Sequence, residues 1–153
     1  FNHQRFMPWQ AWVEGFEAIG YWVYSHHSGD VSRWMSSIYI HLSIFSTVYE
    51  GRGPIPSKRW ESLREGMEDW LLLNELKQAY DKASTAGASE SELSHAHALL
   101  YEKPREMMNM LRESGRYLTA PSSPDAHDRM TEALENSRRE MVAEIMNLRT
   151  LTD

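Results

Sequence analysis

The sequence contains no cysteine among its 153 residues, which excludes disulfides and thiolate chemistry. It also has no apolar run of about 18 residues, so no transmembrane helix is expected. Basic residues are outnumbered, with 16 Lys and Arg against 22 Asp and Glu, and the formal net charge is −6. This balance argues against a basic surface for nucleic acid and gives no reason to expect attraction to anionic membranes. We therefore expect neither nucleic acid nor membrane as a partner.

Aromatic residues are scarce after residue 70. All six Trp, all four Phe and four of the seven Tyr lie within residues 1–70. The remainder is rich in Met, Leu, Ala, Glu and Arg, a composition typical of helical bundles. We expect the first half to carry the function or the deep core, and the second half to be helical scaffold.

The chain opens Phe1-Asn2-His3, without an initiator methionine or a signal-peptide pattern. This start leads us to expect that the chain is a piece of a longer protein.

Hydrophobic spacing predicts a mainly α chain with four or five helices and one or two short strands. Helices are expected over residues 6–18, 57–82, 90–118 and 124–150, and strands over residues 21–24 and 44–49. Polar, Gly- and Pro-containing stretches predict loops over residues 25–37 and 51–56 and a linker over residues 84–89. The helices over 90–118 and 124–150 are expected to form an antiparallel hairpin against the helix over 57–82.

Local signals mark where these helices begin and bend. Ser57 is predicted to be an N-cap, and Ser89 with Glu92 three residues later has the spacing of a capping box. Pro104 predicts a kink or a restart of its helix, because proline has no backbone N–H to donate. Two apolar stripes accompany them: Trp60, Leu63, Met67, Trp70, Leu71 and Asn74 on one helix, and Met130, Leu134, Met141, Ile145 and Leu148 on the last.

The most specific stretch is residues 53–70, G-P-I-P-S-K-R-W-E-S-L-R-E-G-M-E-D-W. It resembles a signature near the C-terminal end of glycoside-hydrolase-like barrels, those similar to the family 123 β-N-acetylgalactosaminidases and a related domain of unknown function. Pro8-Trp9-Gln10-Ala11-Trp12, Gly20-Tyr21-Trp22-Val23-Tyr24-Ser25 and Tyr49 fit the same pattern. The resemblance covers about residues 5–80.

This resemblance implies the C-terminal fragment of a (β/α)₈ barrel, its last strand and helix, followed by a helical hairpin. Residues 1–83 would end the barrel-like catalytic domain, with residues 20–25 as its last strand and 57–82 as its closing helix. Residues 84–153 would form the C-terminal hairpin packed on it. Barrel active sites lie at the C-terminal ends of the strands, so side chains that follow the last strand would line the rim of the site.

The substrate-binding residues expected at that rim are Trp22, Tyr24, His26, Asp30 and Trp34. The aromatic members could stack on a sugar ring, whereas the alternative for each is a place in the core. His26 or His27 could instead hydrogen-bond the substrate.

The family's catalytic residues are an adjacent Asp-Glu pair, with the substrate acetamido group as nucleophile. The sequence has no Asp-Glu pair, and Glu68-Asp69 lies within a predicted helix. We therefore assign no catalytic residue to this chain and expect the pair to lie upstream of Phe1. Asp30 and Glu50 could be a hydrolytic carboxylate pair, but we favour two solvated loop carboxylates.

No cofactor and no metal site is expected. His26-His27, His41 and the pair His95 and His97 lack the spacing by which histidines on one helix face bind a metal. The stretch Met107-Met108-Asn109-Met110 could line a binding groove, but core filling is favoured.

The signature residues are expected to be mainly structural. Arg64 and Glu68 have the i, i+4 spacing of a helix-surface ion pair. Gly66 lies within a predicted helix, where glycine costs about 1 kcal/mol relative to alanine, so its presence suggests close packing against another backbone.

The resemblance predicts the C-terminal part of a carbohydrate-active glycoside hydrolase, whose intact form would bind a carbohydrate, with an N-acetylated amino sugar as the candidate. The alternative is a non-catalytic helical interaction module or carbohydrate-binding module. A partial barrel leaves strand edges unpaired, so self-association of the isolated chain is also expected.

Overall fold

The computed structural model describes residues 2–20, 48–49, 55–113 and 124–152. Within these ranges the chain forms α1 (Asn2–Glu14), β1 (Val48–Tyr49), β2 (Ile55–Pro56), α2 (Lys58–Thr85), α3 (Glu90–His97), a π-helical segment (Ala98–Glu102), α4 (Lys103–Glu113) and α5 (Pro124–Thr150). The predicted mainly α character is confirmed. None of the helices in the described ranges is long and apolar enough to cross a membrane.

The two short strands pair with each other in antiparallel fashion. Val48 lies opposite Pro56, and Tyr49 lies opposite Ile55. The predicted loop over residues 51–56 is therefore wrong at its last two residues. A two-residue pair tolerates Pro56 because proline is accepted where its missing N–H is not needed by the ladder. The predicted strand over 21–24 and loop over 25–37 lie outside the described residues.

Helix α1 ends earlier than predicted, at Glu14 rather than residue 18. Gly15 adopts a left-handed conformation with φ of 72°. The Phe16 amide donates to the Ala11 carbonyl at 2.8 Å, and the Gly15 amide donates to the Trp12 carbonyl at 3.2 Å. This pair of bonds is a Schellman motif, which satisfies carbonyls of the last turn and ends the helix. The sequence signal for it is Gly15 itself.

Helix α2 begins as predicted, because the Ser57 hydroxyl accepts hydrogen bonds from the amides of Arg59 and Trp60. It extends to Thr85, three residues beyond the predicted end. Its buried side comprises Ser62, Gly66, Asp69, Leu73, Leu76, Ala79 and Ala83. The apolar stripe predicted from the sequence is a different side, and several of its members are exposed: Trp60, Met67 and Leu71.

The predicted helix over 90–118 is divided by a π-helical turn. The capping box of Ser89 and Glu92 is confirmed at its start. Further along, Pro104 cannot donate to the carbonyl of Leu100 four residues earlier. That carbonyl instead accepts a hydrogen bond of 2.8 Å from the indole Nε1 of Trp12 on α1. The irregularity predicted at Pro104 is therefore present as a π-helical turn just before it.

One cluster of buried apolar side chains joins the helices. The predicted seam of α5 is confirmed, since Met130, Leu134, Met141, Ile145 and Leu148 are all buried. Met107 and Met108 are buried in the same cluster, which confirms their predicted place in the core. The other members are Phe6, Trp9, Leu73, Leu76, Ala79, Ala83, Leu93, Ala96, Leu99, Leu100 and Leu111.

Candidate functional site

The rim residues predicted from the sequence, Trp22, Tyr24, His26, Asp30 and Trp34, lie outside the described residues. So do His27, His41 and Glu50. Two other features of the described helices are candidates for a functional role: a buried cluster of charged side chains and an aromatic groove.

The Arg5 cluster consists of Arg5, Glu65, Asp69, Glu135 and Arg138. Arg5 and Asp69 are at its centre, with side-chain exposures of 2% and 0%, and Arg5 Nε donates to Asp69 Oδ2 at 2.9 Å. Arg5 Nη1 contacts Glu65 Oε2 at 3.0 Å and Glu135 Oε1 at 2.7 Å. Arginine suits this position because its fork of N–H groups can satisfy several carboxylates at once.

The second arginine of the cluster, Arg138, lies on α5 and contacts residues of α2. Arg138 Nη2 lies 2.7 Å from Asp69 Oδ1 and donates to the backbone carbonyl of Glu65 at 3.1 Å. The Trp9 indole donates to Asp69 Oδ2 at 3.1 Å. Asp69 therefore receives hydrogen bonds from three side chains on two other helices.

The electrostatics of the cluster favour its ionised form. Burial by itself lowers the pKa of Arg5, but the hydrogen bonds and charges of Asp69 and Glu135 outweigh burial and leave that pKa raised. The hydrogen bond from Arg5 lowers the pKa of Glu135, against a smaller opposing effect of desolvation. Because Arg5 and Asp69 are enclosed and each charge of the cluster has a partner, the arrangement is suited to fixing α1, α2 and α5 against one another. All three of its carboxylates are engaged by Arg5.

Close backbone approach accompanies the cluster. A Cβ added to Gly66 would lie 2.4 Å from the carbonyl oxygen of Arg5, a contact that confirms the packing role predicted for this glycine. The amide of Arg5 donates to the Ser62 hydroxyl at 3.1 Å. On the outer surface of α2, Arg64 pairs with Glu68 as predicted, and also with Glu61.

The aromatic groove lies where the end of α1 meets α2 and the π-helical turn. It has a volume of about 590 Å³, and its lining residues are Trp12, Val13, Glu14, Gly15, Phe16, Glu17, Trp70, Asn74, Leu100, Tyr101, Pro104 and Arg105. Volumes of this size are typical of small-molecule sites.

Several groove side chains are held in place by hydrogen bonds and ring contacts. The bond from Trp12 to Leu100 uses the only donor of that indole, so the ring offers a ligand its carbon surface. The Tyr101 ring lies 4.7 Å from the His97 ring, centre to centre. Asn74 Nδ2 donates to the Trp70 carbonyl at 2.8 Å, and Arg105 Nη1 donates to the Tyr101 carbonyl at 3.0 Å.

Two histidines of α3 contact neighbouring side chains. His95 Nδ1 lies 3.0 Å from Glu144 Oε2 on α5. The His97 ring lies 6.4 Å from the Tyr80 ring of α2 and 4.7 Å from the Tyr101 ring, centre to centre. Among the described residues there is no group of three or more His, Cys, Asp or Glu side chains placed to hold a metal ion.

Sequence reasoning singled out Asp69 and Gly66 but missed Arg5, the residue that links them. Arg5 and Asp69 are 64 positions apart, and no local pattern connects them. The groove was missed for the same reason, because its aromatic rings come from separate elements. The one local signal was Pro104, which marks the turn that exposes the Leu100 carbonyl to Trp12.

Comparison with known proteins gives no relative. No family model matches the chain, and neither a curated protein nor a solved structure shows significant similarity to it.

Proposed function

We propose that this chain is the C-terminal region of a carbohydrate-active glycoside hydrolase with a (β/α)₈ barrel. In this proposal α1 and α2 are consecutive outer helices of the barrel. Residues 20–25 are the strand between them, and Trp22, Tyr24, His26, Asp30 and Trp34 line the rim of the sugar site. The helices α3 to α5 support the barrel from outside.

The observation that carries the proposal is the direction in which α1 and α2 pack. Arg5 contacts Ser62, Trp9 contacts Asp69, and Trp12 lies in the groove beside Trp70. In these three pairs the residue numbers increase together on α1 and on α2, so the two helices run in the same direction. Consecutive helices of a barrel have this relation, because a strand carries the chain back between them.

Dimensions are consistent with a returning strand. Helix α1 has 13 residues, and at a rise of about 1.5 Å per residue it is roughly 20 Å long. A strand of six residues, the length predicted over 20–25, spans about 20 Å as well. The Schellman motif at Gly15 ends α1 before the residues proposed for that strand.

The exposed stripe of α2 supports the same arrangement. We define the α2 stripe as Trp60, Met67 and Leu71, which are 36%, 38% and 56% exposed. A different side of α2, with the buried residues Ser62, Gly66 and Asp69, packs against the other helices. An outer barrel helix needs an additional apolar side for the strands, and exposed apolar patches mark such contact surfaces.

The test is hydrolysis by the full natural protein that contains this sequence. With a nitrophenyl β-N-acetylgalactosaminide, we expect release of nitrophenol. The variant Trp22→Ala should raise KM or lower kcat, whereas Trp60→Leu, on the α2 stripe, should leave both near their original values once folding is checked by circular dichroism. Absence of hydrolysis of this and related aryl glycosides would contradict the enzyme proposal.

The second candidate is a non-catalytic helical binding module. It is favoured by the shared apolar core, because the described helices bury a common set of side chains without a further domain. This function predicts a monomeric chain with one cooperative unfolding transition, whereas a barrel fragment should self-associate.

A further inference from the structure

We propose that the aromatic groove is an accessory carbohydrate site that holds one or two sugar rings, separate from the rim of the barrel. The choice of sugar as ligand rests on the proposed carbohydrate function. The groove itself is defined by described residues alone.

The lining has the two features that a saccharide needs. Sugar rings present patches of C–H groups that pack on aromatic faces, and Trp12, Phe16, Trp70 and Tyr101 supply such faces. Sugar hydroxyls both donate and accept, so they need partners of both kinds. Arg105 supplies donors, and Glu14 and Glu17 supply acceptors.

The mix of charges at the groove selects against other ligands. An anionic ligand would meet Glu14 and Glu17, while a lipid chain would leave Arg105 and both carboxylates without partners. A neutral polyhydroxyl ring satisfies groups of either sign. Phe16, with 62% of its surface exposed at the mouth, is available for contact with it.

The groove walls are already in place before any ligand binds. The hydrogen bond from Trp12 to Leu100 fixes one ring, and the contact with His97 limits movement of Tyr101. Arg105 is held by its bond to the Tyr101 carbonyl, which uses one of its five N–H donors. Preorganised rings lose little conformational entropy on binding, which favours weak but specific sugar contacts.

The position of the groove separates it from a catalytic rim. It lies at the C-terminal end of α1. In a barrel the active site is at the C-terminal ends of the strands, where the outer helices begin. The groove would therefore lie toward the opposite end of the barrel and could hold a distal part of a polysaccharide or glycan chain.

The test measures binding of N-acetylgalactosamine, N-acetylglucosamine and galactose to this chain by isothermal titration calorimetry and saturation-transfer NMR. We expect saturable millimolar binding, weakened about fivefold by Tyr101→Leu through loss of one ring contact. Arg105→Ala, at an exposed side chain, should weaken binding without disturbing the fold. It keeps the proposal testable if Tyr101→Leu fails to fold.

Two controls separate this site from others. Trp60→Leu removes an aromatic ring outside the groove, and Trp22→Ala removes one at the predicted rim. Neither should change groove binding. The proposal is overturned if no sugar binds, if the affinity is unchanged in Tyr101→Leu and Arg105→Ala, or if binding is lost only in Trp22→Ala. Hydrolysis by the full natural protein is a separate measurement, so the enzyme proposal and the groove proposal can fail independently.

Discussion

At the scale of single residues, Gly66 shows how the choice of residue inside a helix can be set by the backbone of a neighbouring helix. A methyl group there would lie 2.4 Å from the Arg5 carbonyl oxygen, far inside van der Waals contact with a backbone atom. Alanine has the higher helix propensity by about 1 kcal/mol, so steric and intrinsic effects oppose each other. The steric effect should win because neither backbone can move without disturbing the Arg5 cluster.

We predict that Gly66→Ala lowers the free energy of unfolding by about 2 kcal/mol. Urea unfolding followed by circular dichroism measures this change. Gln78→Ala, at an exposed position of the same helix, is the matched control and should be neutral or slightly stabilising. A stabilised Gly66→Ala variant would show that α1 and α2 can separate at no cost.

Asp69 is the second residue whose replacement should be costly. It is fully buried and is contacted by Arg5, Trp9 and Arg138. In Asp69→Asn the carboxylate charge disappears while the buried Arg5 guanidinium keeps its own. Removing one partner of a buried pair in this way costs about 3 kcal/mol.

Glu61, on the same helix, gives the control for this prediction. It is 41% exposed and pairs with Arg64 on the surface of α2. Glu61→Gln should change the free energy of unfolding by less than about 0.5 kcal/mol. Equal effects of the two substitutions in urea unfolding would mean that the Arg5 cluster is not more important than a surface ion pair.

Glu135 makes the cluster sensitive to acid. Its pKa in the folded chain is lowered from 4.5, chiefly by the hydrogen bond from Arg5. The unfolded state therefore takes up the proton first as the pH falls. The stabilisation is fully present above 4.5 and is lost as the pH falls through the lower, folded pKa.

The difference in unfolding free energy between the original chain and Glu135→Gln should accordingly shrink below pH 4.5. Urea unfolding at neutral and acidic pH measures it. Glu140→Gln, an exposed site on the same helix, is the reference for general effects of acid. A difference that is constant with pH would show that the Arg5–Glu135 contact does not depend on the charge of Glu135.

At the scale of elements, the junction of α1 with the π-helical turn depends on one hydrogen bond. Trp12→Phe keeps an aromatic ring but removes the donor to the Leu100 carbonyl. Pro104 has no N–H to replace it, so the junction would lose the hydrogen bond that joins α1 to the π-helical turn. We predict a loss of about 1 to 2 kcal/mol in the free energy of unfolding.

Thermal or urea unfolding tests this, with Trp60→Phe as the control at an exposed Trp of α2. Similar behaviour of both variants would mean that water or another donor takes the place of the indole. Such a result would also weaken the account of the π turn as a consequence of Pro104.

Two helix starts and the apolar seam of α5 were predictable from the sequence because their causes are local. Ser57, Ser89 with Glu92 and the seam from Met130 to Leu148 act through neighbours a few positions away. The buried side of α2 was not predictable in this way. Its first half is buried through Ser62, Gly66 and Asp69, which are polar or small, and their partner Arg5 is distant in sequence. Asp69, Gly66 and Pro104 gave a signal beforehand, and Trp12 and Trp70 were singled out without any sign that they share a groove.

At the scale of the whole molecule, α2 has two sides with different partners. The side with Ser62 and Asp69 faces α1 and α5. The α2 stripe of Trp60, Met67 and Leu71 remains substantially exposed. In the proposed parent enzyme the barrel strands would cover it, and between isolated chains the same stripe of a second copy would cover it.

We therefore predict that the isolated chain self-associates through the α2 stripe. Sedimentation velocity should show an average mass that rises with concentration. Changing all three stripe residues to Gln should shift the chain toward monomer and leave its helical content unchanged, because these side chains lie outside the shared core.

The matched control places the same change on another surface. Val142 and Met146 on α5 are 42% and 64% exposed, so Val142→Gln with Met146→Gln removes apolar area away from α2. Association that persists in the stripe variant but is lost in this control would locate the contact on α5. A chain that is monomeric at every concentration and unfolds in one transition would contradict the barrel origin itself and favour the helical binding module, since a closing helix removed from its barrel should expose an apolar stripe that associates.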